Sequence, residues 1–340
     1  MEEDYRKSLI DSILKREENE EKYLGDDMLS RLGTKDQTEE SCLEAMKYWG
    51  YSLNNVKNKT ELICLESVKH NGRDLKFVEN QTREICIAAV RKDPCALKYV
   101  KDQTEEMCIE AVRKDGRVLY FVREQTEAIC LAAVRCFGCV LCLVENQTDE
   151  AICMEAVKHQ GTALGFVKNK SFDIMMEAVK QSGKAMYAIT DPMIDGYYDL
   201  AMTAVRESAG AIQFIKNPTE EMQWIALKQN ALALSCIENQ TEEMCLFAVK
   251  EANGALSYVK DQTEEMCMIA VRSYGCMLQF VKDQTEETCI EAVKQDYKAL
   301  QYVKEQTEEI CRIVLAHNPD KTCEILEMIT DPLMRERVRS

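Results

Sequence analysis

The feature that most constrains this chain is a segment of about 22 residues that recurs from residue 37 to residue 315. One copy, residues 103–124, is QTEEMCIEAVRKDGRVLYFVRE, and thirteen copies align, one of them irregular around Tyr197. The other twelve copies are phased by Thr38, Thr60, Thr82, Thr104, Thr126, Thr148, Ser171, Thr219, Thr241, Thr263, Thr285 and Thr307. A fixed period of this length predicts a solenoid, because one such unit is too short to be stable without packing on its neighbours.

Each copy is predicted to begin with an α-helix whose N-cap is the threonine. A threonine hydroxyl can accept a hydrogen bond from a free amide of the first turn, and the acidic residues that follow are favourable at the positive end of the helix dipole. After Thr104, apolar residues stand at positions three, four, seven and eight, which is the spacing of one helix face. They are Met107, Cys108, Ala111 and Val112.

The end of this helix is predicted from a glycine that stands twelve residues after the capping residue in most copies, such as Gly116. Glycine at this place is typical of a left-handed C-cap. Leu119 and Val122 then stand three residues apart. This spacing indicates a second helix of about two turns, partly 3₁₀.

We therefore predict an all-α fold, an α-solenoid (superhelix) of about thirteen 22-residue helix-turn-helix repeats with capping helices at both ends. Residues 1–36 are expected to form an N-terminal helical cap, residues 37–316 the repeats, and residues 317–340 a C-terminal helical cap. Within residues 189–217 a Thr-Asp-Pro sequence replaces the usual Gln-Thr entry. The stack is expected to be irregular there and to kink.

Most of the seventeen cysteines follow the repeat. Ten occupy the same inward position of the first helix, namely Cys42, Cys64, Cys86, Cys108, Cys130, Cys153, Cys245, Cys267, Cys289 and Cys311. Equivalent points on packed helices lie about 8–10 Å apart, whereas a disulfide needs Cα atoms within about 7 Å. We predict small, buried, reduced side chains and a reducing compartment.

Three further cysteines leave a second interpretation open. Cys136, Cys139 and Cys142 form a local C-x-x-C-x-x-C sequence that could offer thiolates to zinc or to an iron–sulfur cluster. Ordinary repeat variation explains part of it, since Cys95 and Cys276 stand at the position of Cys139, and no fourth ligand is evident nearby.

An aromatic residue recurs seventeen positions after the N-cap. It stands two residues past the core leucine, so it either seals one repeat against the next or lines a groove that binds a partner. Aromatic side chains in such a groove would supply the rigid anchors that dominate protein interfaces. The residues predicted to bind a partner are Tyr99, Phe121, Phe166, Phe280 and Tyr302.

The charge narrows the class of partner. The formal net charge of −16 opposes binding to nucleic acid and favours a protein partner with a basic surface. No stretch approaches the roughly 20 apolar residues of a membrane span, and no secretory signal is apparent at the N-terminus. We expect an intracellular protein that does not associate with membranes.

The copies QTEEMCIEAVRKDGRVLYFVRE, QTEETCIEAVKQDYKALQYVKE and QTREICIAAVRKDPCALKYVKD resemble a known family. They are similar to the helical repeat domains of unknown function encoded by multi-copy gene families of nucleocytoplasmic giant DNA viruses. The resemblance covers about residues 37–315. It implies a viral protein, located in the host cytoplasm or the virion, with an all-helical solenoid and no assigned activity.

The leading hypothesis is a non-enzymatic repeat scaffold that mediates protein–protein interaction, either with a host partner or in virion assembly. No catalytic triad, HExxH sequence, glycine-rich phosphate loop or carboxylate pair stands out from the repeat, so neither an enzyme nor a cofactor is expected. The alternative is a metal or redox protein that uses Cys136, Cys139 and Cys142. An enzyme built on residues 191–217 has no residue in its favour.

Overall fold

The chain folds into α-helices and short 3₁₀ helices, and its computed structural model describes residues 2–21, 37–49 and 52–339. The α-helices are α1 (Glu2–Glu21), α2 (Glu39–Trp49), α3 (Glu61–His70), α4 (Arg83–Lys92), α5 (Glu105–Lys114), α6 (Glu127–Cys136), α7 (Glu150–His159), α8 (Phe172–Gln181), α9 (Tyr197–Glu207), α10 (Glu220–Gln229), α11 (Glu242–Glu251), α12 (Glu264–Ser273), α13 (Glu286–Gln295), α14 (Glu308–His317), α15 (Thr322–Met328) and α16 (Pro332–Arg339). The described ranges contain no β-strand.

A 3₁₀ helix follows each α-helix from α2 to α14. These are η1 (Leu53–Asn55), η2 (Gly72–Phe77), η3 (Pro94–Tyr99), η4 (Gly116–Phe121), η5 (Gly138–Leu143), η6 (Gly161–Phe166), η7 (Gly183–Ala188), η8 (Ala209–Phe214), η9 (Ala231–Cys236), η10 (Asn253–Tyr258), η11 (Gly275–Phe280), η12 (Tyr297–Tyr302) and η13 (Pro319–Lys321). The predicted all-α helical-repeat solenoid is confirmed. The second helix of the repeat is 3₁₀ in η1 to η12, and in the last copy η13 continues directly into α15.

The chain divides into two compact units, residues 1–196 (unit 1) and residues 197–340 (unit 2). The division falls inside residues 189–217, where the repeat was predicted to be irregular. In the irregular copy, the phenol oxygen of Tyr197 accepts a hydrogen bond from the backbone N–H of Lys216 at 3.0 Å. The predicted end caps stay predictions, and residues 22–36 of the N-terminal one lie outside the described residues.

The N-caps form as the sequence predicts. The side chain of Thr104 accepts from the backbone N–H of Met107, and the bond recurs at Thr60, Thr82, Thr126, Ser171, Thr219, Thr241, Thr263, Thr285 and Thr307. One copy differs, because Asp149 rather than Thr148 caps α7 and accepts from the N–H groups of Ala151 and Ile152. The one-residue insertion in this copy therefore moves the cap by one position.

The apolar positions form the core of each unit. In α5, Met107, Cys108, Ala111 and Val112 are all at most 3% exposed, and Leu119 of η4 is fully buried. Within a unit, α-helices pack on neighbouring α-helices and 3₁₀ helices on neighbouring 3₁₀ helices. Each repeat thereby buries its apolar stripe against the next one, which short helices need in order to be stable.

The glycine after the first helix has another role than predicted. Gly116 is the first residue of η4, its backbone is not left-handed, and the preceding Asp115 ends α5 in an extended conformation with φ −145°. A Cβ on Gly116 would lie 2.7 Å from the carbonyl oxygen of Ala133 in the next repeat, closer than Cβ atoms normally approach. Gly72, Gly138, Gly161 and Gly275 face the next repeat in the same way. The prediction of a left-handed C-cap was wrong, because close packing of neighbouring repeats is what requires glycine here.

The glutamine before the N-cap joins consecutive repeats. Gln103 Nε2 donates to the carbonyl oxygens of Leu97 at 3.1 Å and Phe121 at 2.9 Å. Its Oε1 accepts from the backbone N–H of Arg123 at 3.0 Å. The same three bonds recur at Gln81, Gln240, Gln262, Gln284 and Gln306. Each of these glutamine side chains thus links the 3₁₀ helix of one repeat to the second helix of the following repeat.

Candidate protein-binding face

Each unit exposes one side of its 3₁₀ helices. We define the 3₁₀ face as the side chains at the second, fifth and sixth residues of η2 to η12. A 3₁₀ helix has three residues per turn, so the second and fifth residues lie above one another. The third and fourth residues, such as Val118 and Leu119 in η4, are fully buried and hold the helix on the core.

The five aromatic residues predicted to bind a partner all stand at the sixth position of a 3₁₀ helix. Phe166 is 7% exposed, Phe280 is 37% exposed, and Tyr99, Phe121 and Tyr302 are half-buried. Their common position was predictable from the repeat, but their different exposure was not. Their role in binding stays a prediction.

A lysine covers the rings of the first repeats of unit 1. The ammonium group of Lys76 lies 5.0 Å from the ring centre of Phe77, and that of Lys98 lies 5.7 Å from Tyr99 and 5.8 Å from Phe121. These distances are typical of cation–π contacts. Both lysines stand at the fifth position, directly before the ring of their own repeat.

Helix α1 covers the middle of the 3₁₀ face of unit 1. It packs on η4 and η5, and it buries Leu9 (9% exposed) and Ile13 (2% exposed). Its Tyr5 ring lies 5.1 Å from the ring of Phe166 in η6, and its phenol lies beside the thiol of Cys139. The face of unit 1 therefore binds an amphipathic helix within the same chain.

Sequence reasoning missed this contact. Leu9 and Ile13 stand at helical spacing within residues 1–36, which we predicted to form an N-terminal helical cap. A further signal was the sequence of η5, GCVLCL, which carries no charged residue and is buried at all six positions. An uncharged 3₁₀ helix on the exposed side of a repeat indicates that something covers it.

The candidate metal cluster belongs to this contact. Cys136 is exposed, whereas Cys139 and Cys142 are buried in η5, the helix that α1 covers. Cys136 Sγ lies 3.3 Å from the backbone N–H of Gly116, and Cys139 Sγ lies 3.8 Å from Thr162 Oγ1. In the described part of the chain, no three His, Cys, Asp or Glu residues are grouped so that they could hold a metal ion. The three cysteines are thus not assembled as a ligand set.

The cysteines of the first helix are buried and uncharged. Cys108 Sγ lies 3.8 Å from Gln103 Oε1, at a distance suited to a weak S–H hydrogen bond, and equivalent contacts occur at Cys86, Cys130, Cys245, Cys267 and Cys289. Burial raises the pKa of Cys108 to about 11. A thiol that stays protonated at neutral pH is a poor nucleophile and a poor metal ligand. These residues therefore serve packing.

The 3₁₀ face of unit 2 is open in the middle. Leu232, Tyr258 and Phe280, in the consecutive helices η9, η10 and η11, are 42%, 45% and 37% exposed. Ser257 and Gln279 stand at the fifth positions where η2 and η3 have lysine. Tyr258 and Phe280 thus have no lysine at the fifth position of their own 3₁₀ helix, unlike Phe77 and Tyr99.

The polar side chains beside these rings bond to their own helices. Ser235 Oγ donates to the carbonyl oxygen of Leu232 at 2.9 Å, Ser257 Oγ to that of Gly254 at 2.7 Å, and Gln279 Nε2 to that of Cys276 at 3.1 Å. Because these donors already have acceptors, bringing an apolar partner onto the face costs less than for free polar groups. The middle of this face has the character of an interface core.

A second concave feature lies on the other side of unit 2, between α10 and α11. It is an open cleft of about 1220 Å³, and the rings of Trp224 and Phe247 meet there edge to face at 5.6 Å. Glu221 and Glu242 lie near one end and Lys228 and Lys250 near the other. Nothing in the structure indicates what would fill this cleft, whereas the 3₁₀ face has an occupant in unit 1.

Comparison with known proteins finds a matching family whose description assigns no activity. The family model described as Domain of unknown function (DUF4116) matches residues 60–104 and, overlapping them, residues 82–127. The matched stretch runs from the N-cap of α3 to the start of α6 in unit 1. No curated protein and no solved structure matches the chain. None of the helices in the described ranges combines the length and the apolar character needed to cross a bilayer.

Proposed function

We propose that the protein is a non-enzymatic repeat scaffold that binds a protein partner on the 3₁₀ face of unit 2. The observation that carries this proposal is the helix α1 docked on the same face of unit 1, since it demonstrates the kind of contact that such a face makes. The exposed Leu232, Tyr258 and Phe280 supply large apolar side chains for a similar contact. Of the five aromatic residues predicted from sequence, Phe280 is the one we place at its centre.

Charge defines the surroundings of the contact. Residues 197–340 carry 24 acidic and 15 basic side chains. Two of the lysines near the face are held on backbone carbonyl oxygens, Lys260 on Glu238 at 2.7 Å and Lys282 on Lys260 at 2.6 Å. A partner with an apolar contact area and basic flanks complements this arrangement, because charges at the rim steer association and select the partner.

The cellular setting follows from the resemblance to the giant-virus repeats. On that basis we propose a viral protein that acts inside the cell, where it binds a host protein or another component of the virion. The reduced cysteines agree with this location.

The proposal is tested by photocrosslinking in lysate of the cells that produce the protein. A photoreactive phenylalanine derivative placed at exposed Ser235 of η9 is expected to crosslink to discrete proteins. The same derivative at exposed Leu62 of α3, outside the 3₁₀ face, is the control and is expected to give none of these bands. Adding Ser257→Lys and Gln279→Lys is expected to abolish the bands at Ser235, since the new lysines would cover Tyr258 and Phe280 as Lys76 and Lys98 cover their rings.

A second control separates coverage of the rings from added charge. Ala316→Lys with His317→Lys adds the same two charges at exposed positions of α14, outside the 3₁₀ face, and should leave the bands unchanged. Equal crosslinking from Ser235 and Leu62, or bands that persist when Tyr258 and Phe280 are covered, would contradict the proposed function.

A further inference from the structure

We infer that the partner presents a single amphipathic helix to the 3₁₀ face of unit 2, with an aromatic residue, a leucine and an isoleucine at four-residue spacing. This inference rests on the proposed function and names the partner of that same face. Its template is α1, in which Tyr5, Leu9 and Ile13 form one stripe along the helix. Residues four apart lie on one side of an α-helix, so the three side chains meet the same surface.

The helices that receive α1 share their composition with the open ones. Of the helices that α1 contacts, η5 (GCVLCL) and η6 (GTALGF) carry no charged residue, and η4 (GRVLYF) carries only Arg117, which is paired with Asp115 at 2.7 Å. No charged residue occurs in η9 (ALALSC), η10 (NGALSY) or η11 (GCMLQF). By contrast, η2 (GRDLKF) and η3 (PCALKY) carry charges, and their lysines cover the rings. Helix α1 thus lies where the 3₁₀ face carries at most one, internally paired, charged residue per 3₁₀ helix, and η9 to η11 carry none.

The shape of the open face also fits a helix. A Cβ on Gly254 of η10 would meet only Leu232 Cδ2, at 3.9 Å, so glycine leaves a hollow between the second residues of η9 and η11. Leu232, which is 42% exposed, borders this hollow. A large side chain from a docked helix can fill it, as Tyr5 of α1 packs beside Cys139 and Phe166 in unit 1.

The anchoring of the rings makes the face rigid. The carbonyl oxygens of Tyr258 and Phe280 each accept a hydrogen bond at 2.9 Å, from Gln240 and Gln262 respectively. The backbone that carries the two rings is therefore held in place before a partner arrives. A rigid aromatic anchor costs less conformational entropy on binding than a mobile one.

The test measures the binding of a fluorescein-labelled synthetic peptide, with the sequence of residues 2–21, to the full chain. In this chain α1 occupies the face of unit 1. We expect saturable binding by fluorescence anisotropy. Tyr258→Ala with Phe280→Ala in the chain should weaken Kd at least about tenfold, because truncated aromatic anchors typically cost this much or more. Ser257→Lys with Gln279→Lys, which keeps both rings, should cause a similar loss and guards against misfolding of the truncated chain.

The peptide has its own matched control. Leu9→Asp with Ile13→Asp removes the apolar stripe and should also weaken Kd at least about tenfold. Binding that is insensitive to the changes at Tyr258 and Phe280 would mean that the peptide exchanges with α1 on unit 1, and this would overturn the inference.

Failure of the inference is distinguishable from failure of the proposed function. If the peptide does not bind while the crosslinks from Ser235 persist and still depend on the rings, the face binds a protein of another shape. If both the peptide and the crosslinks fail, the proposed function is wrong as well.

Discussion

Gly275→Ala is expected to lower the free energy of unfolding of unit 2 by about 3 kcal/mol, the upper part of the usual range for overpacking. The added Cβ would lie under 3.0 Å from the carbonyl oxygen of Ala292 in the next repeat. This oxygen also accepts a hydrogen bond from the backbone N–H of Asp296 at 3.0 Å, so it is not free to move away. Urea denaturation followed by circular dichroism measures the change.

Gly254→Ala is the matched control in the same unit. Its Cβ would meet nothing closer than Leu232 Cδ2 at 3.9 Å, and its backbone is not left-handed. We expect a change of at most about 0.5 kcal/mol, in the stabilising direction, because alanine restricts the unfolded chain more than glycine does. Equal losses for the two substitutions would contradict the close-approach explanation of the repeat glycines.

Gln262→Ala is expected to destabilise unit 2 by about 2–3 kcal/mol. The substitution leaves the carbonyl oxygens of Leu256 and Phe280 and the N–H of Lys282 without their side-chain partner. A buried polar group without a partner costs about 1–3 kcal/mol, and water reaches part of this site, so the total stays below three full penalties. The same urea titration reports the loss.

Gln301→Ala controls for the loss of a glutamine side chain. Gln301 is exposed, and its Nε2 donates only to the carbonyl oxygen of Lys298 in its own 3₁₀ helix, at 3.0 Å. We expect a change within about 0.5 kcal/mol, as for ordinary surface positions. A similar cost for both glutamines would show that Gln262 does not join the repeats in the way described.

The local parts of the fold were predictable from sequence. The period, the N-cap at Thr104 and the inward stripe of α5 each depend on residues within a few positions of one another, and the structure has them as expected. The shift of one cap to Asp149 follows from the inserted residue. The sequence also favoured a 3₁₀ component, since about ten residues leave little room for a second α-helix.

Contacts between repeats were harder to predict. The roles of Gly116 and Gln103 depend on how close the next repeat lies, which a single copy does not define. In the sequence alone, a glycine twelve residues after the N-cap fits a left-handed C-cap as well as it fits close packing against the next repeat. Only the distance from Gly116 to Ala133 distinguishes these two explanations. The sequence showed that a glutamine recurs before the threonine. It did not show the hydrogen bonds of this glutamine, because they reach residues 18 and 20 positions away.

The candidate site shows the same limit. The repeat put Phe166 and Phe280 at equivalent positions, yet one is covered and the other open. The difference comes from α1. Its apolar stripe was visible in the sequence, but the 3₁₀ helices on which it docks lie more than a hundred residues further along the chain. In the sequence, the spacing of Cys139 and Cys142 resembled that of metal ligands. Both are buried in the helix that α1 covers, and this gives them a packing role instead.

The 3₁₀ face is covered by α1 in unit 1 and open in unit 2. Hydroxyl-radical footprinting of the free full-length chain, read out residue by residue with mass spectrometry, tests it most directly. We predict rapid oxidation of Tyr258 and Phe280 and severalfold slower oxidation of Phe166. We also predict that Leu9→Asp with Ile13→Asp accelerates the oxidation of Phe166 and leaves that of Tyr258 and Phe280 unchanged. Oxidation of Phe166 as fast as that of Phe280 in the unaltered chain, or protection of Tyr258 and Phe280 without a partner, would contradict the account.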